Sequence, residues 1–165
     1  MEAPGNLAPS LQWFEFALAV QVGLLRFSVS MARGRQHDRN ESRCFLDRLV
    51  DEVTGAAAEC LVAKVLGIFW NGSVETFKDV PDIGRVEVRS TIHAAGHLLV
   101  RPDDKGDRLH VLVTGKPEHQ VIAGCMWGHD ARREEWKSNR AGNGTAAYWI
   151  PQSALAPFPP RRQDF

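Results

Sequence analysis

Apolar residues recur at helical spacing in the first part of the chain and alternate with polar residues in the rest. Helical spacing is found in two segments, Leu11 to Met31 and Arg43 to Leu66. The second segment is followed by Gly67, a residue favoured immediately after a helix. The pattern predicts two long helices that precede a sheet.

Short runs of β-branched and apolar residues, separated by turn-forming residues, predict the strands. They fall near 74 to 78, at Arg85 to Thr91, His97 to Arg101, Leu109 to Thr114, 119 to 128 and 145 to 150. The charged segment 129 to 137, "HDARREEWK", predicts a short helix between the last two strands. This order predicts an α/β or α+β fold with a mixed central β-sheet flanked by helices.

The length of 165 residues is that of one domain, and no internal repeat or low-complexity tract divides it. We expect an N-terminal helix and a basic linker over 1–42, a core over 43–155 and a Pro-rich tail over 156–165. The linker, "ARGRQHDRNES", is polar and rich in arginine.

The first predicted helix is amphipathic, because its polar and small residues lie at steps of three and four on one stripe. These residues are Gln12, Glu15, Ala19, Gly23, Arg26 and Ser30. We expect the helix to pack on the domain or on a partner, with residues 11–31 as a candidate homo-oligomer contact. A membrane span is not expected, and the acidic start of the chain does not resemble a secretory signal.

The charge balance excludes one function class, binding to a polyanion through a global positive field. Twenty basic residues offset twenty acidic residues, so contact with nucleic acid would require a local patch. The three cysteines, Cys44, Cys60 and Cys125, are widely spaced and lack zinc-site spacing. They indicate a reducing compartment, and the predicted location is the cytoplasm.

Candidate chemistry begins with Glu59 on the second predicted helix. It is the lone acid of the apolar segment "GAAAECLVAKVLG" and lies about two turns after Glu52. An acid in such a segment is either a solvated helix residue or a functional group with a perturbed pKa.

A second candidate is the stretch "DIGRVEVRS", residues 82 to 90. On the predicted strand, Glu87 and Arg89 share one face while Val86 and Val88 share the other. This alternation is also typical of an ordinary half-exposed strand. The turn residue Asp82 adds a second acid, and two carboxylates are the oxygen ligands that Mg²⁺ or Mn²⁺ prefers.

"PDIGRVEVR" resembles the signature of the PD-(D/E)XK, or restriction-endonuclease-like, nuclease superfamily, and "GAAAECLVAKVLG" resembles its preceding helix. The resemblance covers roughly residues 50 to 150 and implies the fold core of that superfamily. It also implies that Asp82 and Glu87 are metal ligands, that Glu59 is an accessory acid and metal ligand, and that Arg89 occupies the lysine position. The whole chain is similar to uncharacterised bacteriophage proteins, which implies a viral origin and a host cytoplasm.

The expected function is therefore metal-dependent phosphodiester hydrolysis in DNA, with Glu59, Asp82, Glu87 and Arg89 as catalytic residues. Arg89 stays charged, so it would stabilise phosphate and could not act as a base. With Arg89, the cations Arg101 and His93 are candidates for nucleic-acid binding. The alternatives are an inactive nuclease-like protein that binds nucleic acid or blocks host defence, and a structural component assembled through the first helix.

Overall fold

The computed structural model describes residues 9–34, 44–74, 81–139 and 146–159. Two helices come first, α1 (Trp13–Ala32) and α2 (Phe45–Leu66). Six strands follow, β1 (Val86–Thr91), β2 (Leu98–Val100), β3 (Leu109–Thr114), β4 (Val121–Trp127), β5 (Lys137–Ser138) and β6 (Ala147–Ile150). Short 3-10 turns cover Glu134–Trp136 and Gln152–Ala154.

The end of α2 confirms the stop predicted at Gly67. Gly67 adopts a left-handed conformation with φ of 66°, which glycine accepts without the steric cost of a side chain. Its amide donates to the Lys64 carbonyl, and the Ile68 amide donates to the Ala63 carbonyl. These bonds satisfy carbonyl groups that the last helical turn leaves unpaired.

The strands form two three-stranded sheets. In the first sheet, β1 pairs in parallel with β3, and β3 pairs antiparallel with β4. In the second sheet, β6 lies between β2 and β5, and both pairings are antiparallel. Helices followed by mixed and antiparallel sheets make this an α+β fold with an added N-terminal helix, as the sequence predicted.

Strand β3 is buried on both faces, so each face must pack against another layer of the protein. Leu109, Val111 and Val113 join the core beneath the helices, whereas Leu112 joins the core shared with the second sheet. The helices thus cover one face of the first sheet and the second sheet covers the other. The restriction-endonuclease-like core stays a prediction.

The helix predicted over 129–137 was wrong in extent, since only the 3-10 turn Glu134–Trp136 forms there. The next two residues, Lys137 and Ser138, are extended and pair as β5 with β6. This pairing prevents the helix from continuing. Most of the strand predicted near 74 to 78, together with most of the basic linker and of the Pro-rich tail, lies outside the described residues.

The polar stripe of α1 faces α2 rather than solvent. Ala19, Gly23 and Ser30 are buried there together with Val22 and Phe27. The approach is close, because a Cβ added at Gly23 would lie 2.6 Å from the Val53 Cα. The apolar residues of the opposite face are exposed, so α1 presents its leucines to solvent.

The helix α1 is long enough and apolar enough to cross a membrane, with a mean hydropathy of 1.4 in its most apolar window. Length and hydropathy alone are weak evidence for a membrane span.

Candidate functional site

Glu59 lies in the buried middle of α2, and both its oxygens accept hydrogen bonds. Arg26 on α1 donates to Oε1 and Oε2 at 2.7 Å each, and Trp70 Nε1 donates to Oε2 at 3.2 Å. Burial raises the pKa of Glu59, and the Arg26 guanidinium offsets part of this effect. Burial lowers the pKa of Arg26, but its hydrogen bonds to Glu59 more than offset this, so the pKa of Arg26 is raised and its guanidinium stays charged.

Asp82 is held at the open edge of β1 by a tight turn. The Ile83 and Val86 backbones exchange hydrogen bonds of 3.1 and 2.7 Å around Gly84, whose φ of 57° suits such a turn. The reversal brings Asp82 Oδ2 to 2.8 Å from the Val88 amide, which donates to it. Asp82 thereby accepts from an amide of β1 that no strand among the described residues pairs with.

Glu87 and Arg89 point from β1 toward the second sheet, on the same side as His110 of β3, which lies beside Glu87 in the parallel register. Arg108, just before β3, pairs through Nη1 with Glu87 Oε1. Both side chains of this pair are about nine-tenths buried, with 9% and 12% exposed.

Arg89 reaches the turn between β2 and β3. Its Nη2 lies 2.9 Å from Asp104 Oδ2, and its Nε donates to the Leu99 carbonyl at 3.3 Å. The Arg101 amide donates to the same Asp104 oxygen at 2.8 Å, so the Arg101 backbone lies beside the Arg89 guanidinium. The side chain of Arg101 is exposed.

Asp82 is electrostatically connected to both other acids. Its charge raises the pKa of Glu87, in addition to the larger effect of burial, and it also raises the pKa of Glu59. Burial raises the pKa of Asp82 itself, against the Val88 hydrogen bond and the charges of Arg89, Arg26 and Arg108. The sequence-predicted acids therefore share one electrostatic environment around β1.

His110 is fully buried in this environment, and neither ring nitrogen makes a well-formed hydrogen bond to the described residues. Burial and, to a lesser extent, the charge of Arg89 lower its pKa to about 4, against the opposing charge of Asp104. The Lys105 backbone has a smaller opposing effect, although its geometry falls short of a full hydrogen bond. The imidazole is therefore neutral at pH 7.

The three predicted metal ligands differ in what they can bind. Both oxygens of Glu59 are taken up by Arg26 and Trp70, whereas Asp82 Oδ1 and Glu87 Oε2 accept no hydrogen bond from the described residues. Across the part of the chain that the structure describes, no group of three or more acidic, histidine or cysteine side chains is arranged to hold a metal ion. Of the three predicted metal ligands, Asp82 and Glu87 are therefore the two whose carboxylates are still candidates.

His93 is not brought to this cluster. It follows the C-terminal end of β1 in an exposed turn, where its carbonyl accepts from the Gly96 amide. Glu87 and Thr91 alone are separated by roughly 13 Å of extended strand. A shared phosphate contact between His93 and the acids is therefore not supported.

No protein-family model, curated protein or solved structure matches this chain. The resemblance to the nuclease superfamily therefore rests on the quoted motif and stays a prediction.

The sequence predictions missed four residues of this region: Arg26 and Arg108, which pair with Glu59 and Glu87, Asp104, which pairs with Arg89, and the buried His110. A local signal existed only for His110, a lone polar residue that interrupts the apolar run "LHVLVTG". Arg26 and Glu59 are 33 residues apart, and no short motif connects them.

Proposed function

We propose that the protein hydrolyses phosphodiester bonds in DNA with a divalent metal ion, Mg²⁺ or Mn²⁺, held by Asp82 and Glu87. The observation that carries this proposal is the position of Asp82, whose Oδ2 lies 2.8 Å from the amide of Val88, the residue after Glu87. Asp82 and Glu87 each also have one oxygen that accepts no hydrogen bond from the described residues. Two partly buried carboxylates on one turn and strand are the kind of oxygen ligands that a divalent cation binds.

The donor set fits Mg²⁺ or Mn²⁺ better than Zn²⁺ or Cu²⁺, which favour imidazole and thiolate ligands. Mg²⁺ is commonly held by one or two carboxylates and completes its octahedron with water and substrate phosphate oxygens. A bound ion of this kind supplies positive charge for the phosphoryl group and lowers the pKa of water. Glu59 is left out of the ligand set, because Arg26 already neutralises it.

Two arginines complete the proposed site. Arg108 fixes Glu87 by pairing with Oε1, which leaves Oε2 for the metal. Arg89 is partly exposed, at 29% of its side chain, and its Nη1 makes no hydrogen bond to the described residues. A guanidinium in this position binds phosphate and stabilises charge that develops on it. It donates hydrogen bonds only, so the proton of the attacking water goes to solvent or to a carboxylate.

DNA binding without hydrolysis is the second candidate, and one observation favours it. Glu59, Glu87 and Asp104 each already have an arginine partner, Arg26, Arg108 and Arg89 respectively. Because an arginine already neutralises each of these three carboxylates, none of the three requires a metal ion to balance its charge.

A cleavage assay on single- and double-stranded DNA, with Mg²⁺, Mn²⁺ or a chelator, tests the first proposal. We expect metal-dependent cleavage that falls on the order of 100-fold or more in Asp82→Asn and in Glu87→Gln. Asp130→Asn is the control, because Asp130 is an exposed acid in the turn after β4. Unchanged cleavage in both site variants would overturn the assignment.

Calorimetry separates the two candidates. Hydrolysis requires that wild type bind Mg²⁺ or Mn²⁺ and that Asp82→Asn lose this binding. DNA binding that survives chelation, weakens in Arg89→Met and is accompanied by neither metal binding nor cleavage would establish the second candidate instead.

A further inference from the structure

The outward face of α1 has a regular three-four spacing of exposed residues. Alternate steps of three and four along this face give an outer seam of six exposed residues, Phe14, Ala17, Gln21, Leu24, Ser28 and Met31. Leu18 and Leu25, seven residues apart, flank the seam and are 49% and 55% exposed. This repeat of seven residues over two turns is the spacing by which one helix packs along another.

The outer seam carries no charge. The only charged residues of α1 are Glu15 and Arg26. Both contact α2, where Glu15 pairs with Lys64 at 2.6 Å and Arg26 pairs with Glu59 at 2.7 Å. The polar groups of α1 are therefore used to attach it to its own domain, and the face left to solvent is apolar except for Gln21 and Ser28.

We infer that the outer seam is a dimer interface, on which α1 of a second copy of this chain packs. A seam with the seven-residue period complements an identical seam, and a polar residue within it, here Gln21, specifies register. A lipid surface requires no such period. Helices that lie on membranes commonly carry lysine and arginine on the polar face, whereas the polar face of α1 packs on α2.

The exposed apolar area is sufficient for a stable pair. Trp13 is 81% exposed and Phe14 is 56% exposed. Aromatic side chains of their size contribute on the order of 300 Å² together at these exposures. Leu18, Leu24, Leu25 and Met31 extend the patch along α1. The total approaches the roughly 800 Å² per partner that specific interfaces bury.

Sedimentation of the full chain over a range of concentrations, under reducing conditions because Cys44 is exposed, tests the inference. We expect a monomer–dimer equilibrium whose dissociation constant rises about 100-fold or more when Leu18→Glu and Leu25→Glu are combined. The matched control combines Phe69→Glu and Ile92→Glu, two exposed apolar residues outside α1. The control should dimerise as wild type does.

A monomeric wild type at every concentration would overturn the inference, as would a double leucine variant that still dimerises. Binding of wild type to phosphatidylcholine vesicles without self-association would identify lipid as the occupant instead. Circular dichroism checks that the variants fold. If the double variant is unfolded, Leu25→Gln alone should still weaken dimerisation, and an unchanged dissociation constant would contradict the interface. The inference is independent of the proposed hydrolysis, because the outer seam does not include Asp82 or Glu87.

Discussion

Arg26 on the first helix forms a bidentate ion pair with Glu59 on the second, through two hydrogen bonds of 2.7 Å. The same guanidinium donates twice to the Ser73 carbonyl, at 2.9 and 2.7 Å. One residue thus joins α1, α2 and the segment after α2. Because Arg26 faces α2, the leucines on the opposite face of α1 are exposed to solvent.

We expect Glu59→Gln to lower the free energy of unfolding by about 3 to 5 kcal/mol, because it leaves the Arg26 charge buried without a counterion. The combined Arg26→Met and Glu59→Leu variant should recover most of this loss. Urea unfolding measures both. As a comparison, Glu15→Gln breaks the more exposed pair with Lys64 and should cost about 1 kcal/mol or less. Equal losses in Glu59→Gln and Glu15→Gln would contradict the role of burial.

The two glycines inside the helices should respond oppositely to alanine. Gly23→Ala would place a Cβ 2.6 Å from the Val53 Cα, so we expect a loss of about 1 to 3 kcal/mol as the helices separate. In Gly55→Ala the added Cβ would lie 4.0 Å from Ser90 Oγ, an ordinary contact distance, and helix propensity should raise stability by up to about 1 kcal/mol. Thermal unfolding distinguishes the two, and a neutral Gly23→Ala would show that α1 is not packed this closely.

His110 should make the protein less stable as pH falls from about 6.5 to about 4. Its pKa is lowered to about 4 in the folded protein from the ordinary value of 6.5, so the unfolded chain binds the proton first. The stabilisation is complete above pH 6.5 and declines by up to about 3 kcal/mol on acidification. His110→Leu should remove this decline in urea unfolding at pH 7 and pH 4.5.

The difference between wild type and His110→Leu isolates the histidine. Asp82, Glu87 and Glu59 have raised pKa values, so their contribution to stability changes in the opposite direction, decreasing as pH rises through the raised pKa. That contribution is common to both proteins. Parallel stability curves for wild type and variant would show that His110 is protonated equally in the folded and unfolded states.

If the proposed site binds Mg²⁺, its affinity should rise as the pH rises above the ordinary carboxyl range of about 4 to 4.5, because raised pKa values at Asp82 and Glu87 leave protons that the metal must displace. Calorimetry at several pH values measures this rise. Glu59→Gln should leave the profile unchanged wherever the variant is folded, whereas Asp82→Asn should abolish binding. An affinity independent of pH would contradict binding at this carboxylate pair.

Periodicity along the chain was enough to predict both long helices and five of the six strands that the structure describes. The end of α2 at Gly67 and the alternation of β1 and β3 are local properties, set by backbone conformation and by which side chains share a face. The isolation of Glu59 among apolar residues likewise indicated an unusual acid before its partner was known. The short helix over 129–137 failed because strand pairing of Lys137 and Ser138 overrode local propensity.

The sequence by itself therefore determined the order of most elements, the α+β class and the placement of Asp82 in a turn just before the strand that carries Glu87. The tertiary structure decided which face of α1 is buried, how the strands divide into two sheets and which arginine neutralises each acid. Periodicity states which residues share a face but not what that face contacts. Contacts such as Arg26 with Glu59 join residues 33 positions apart, and only the packed chain brings them together.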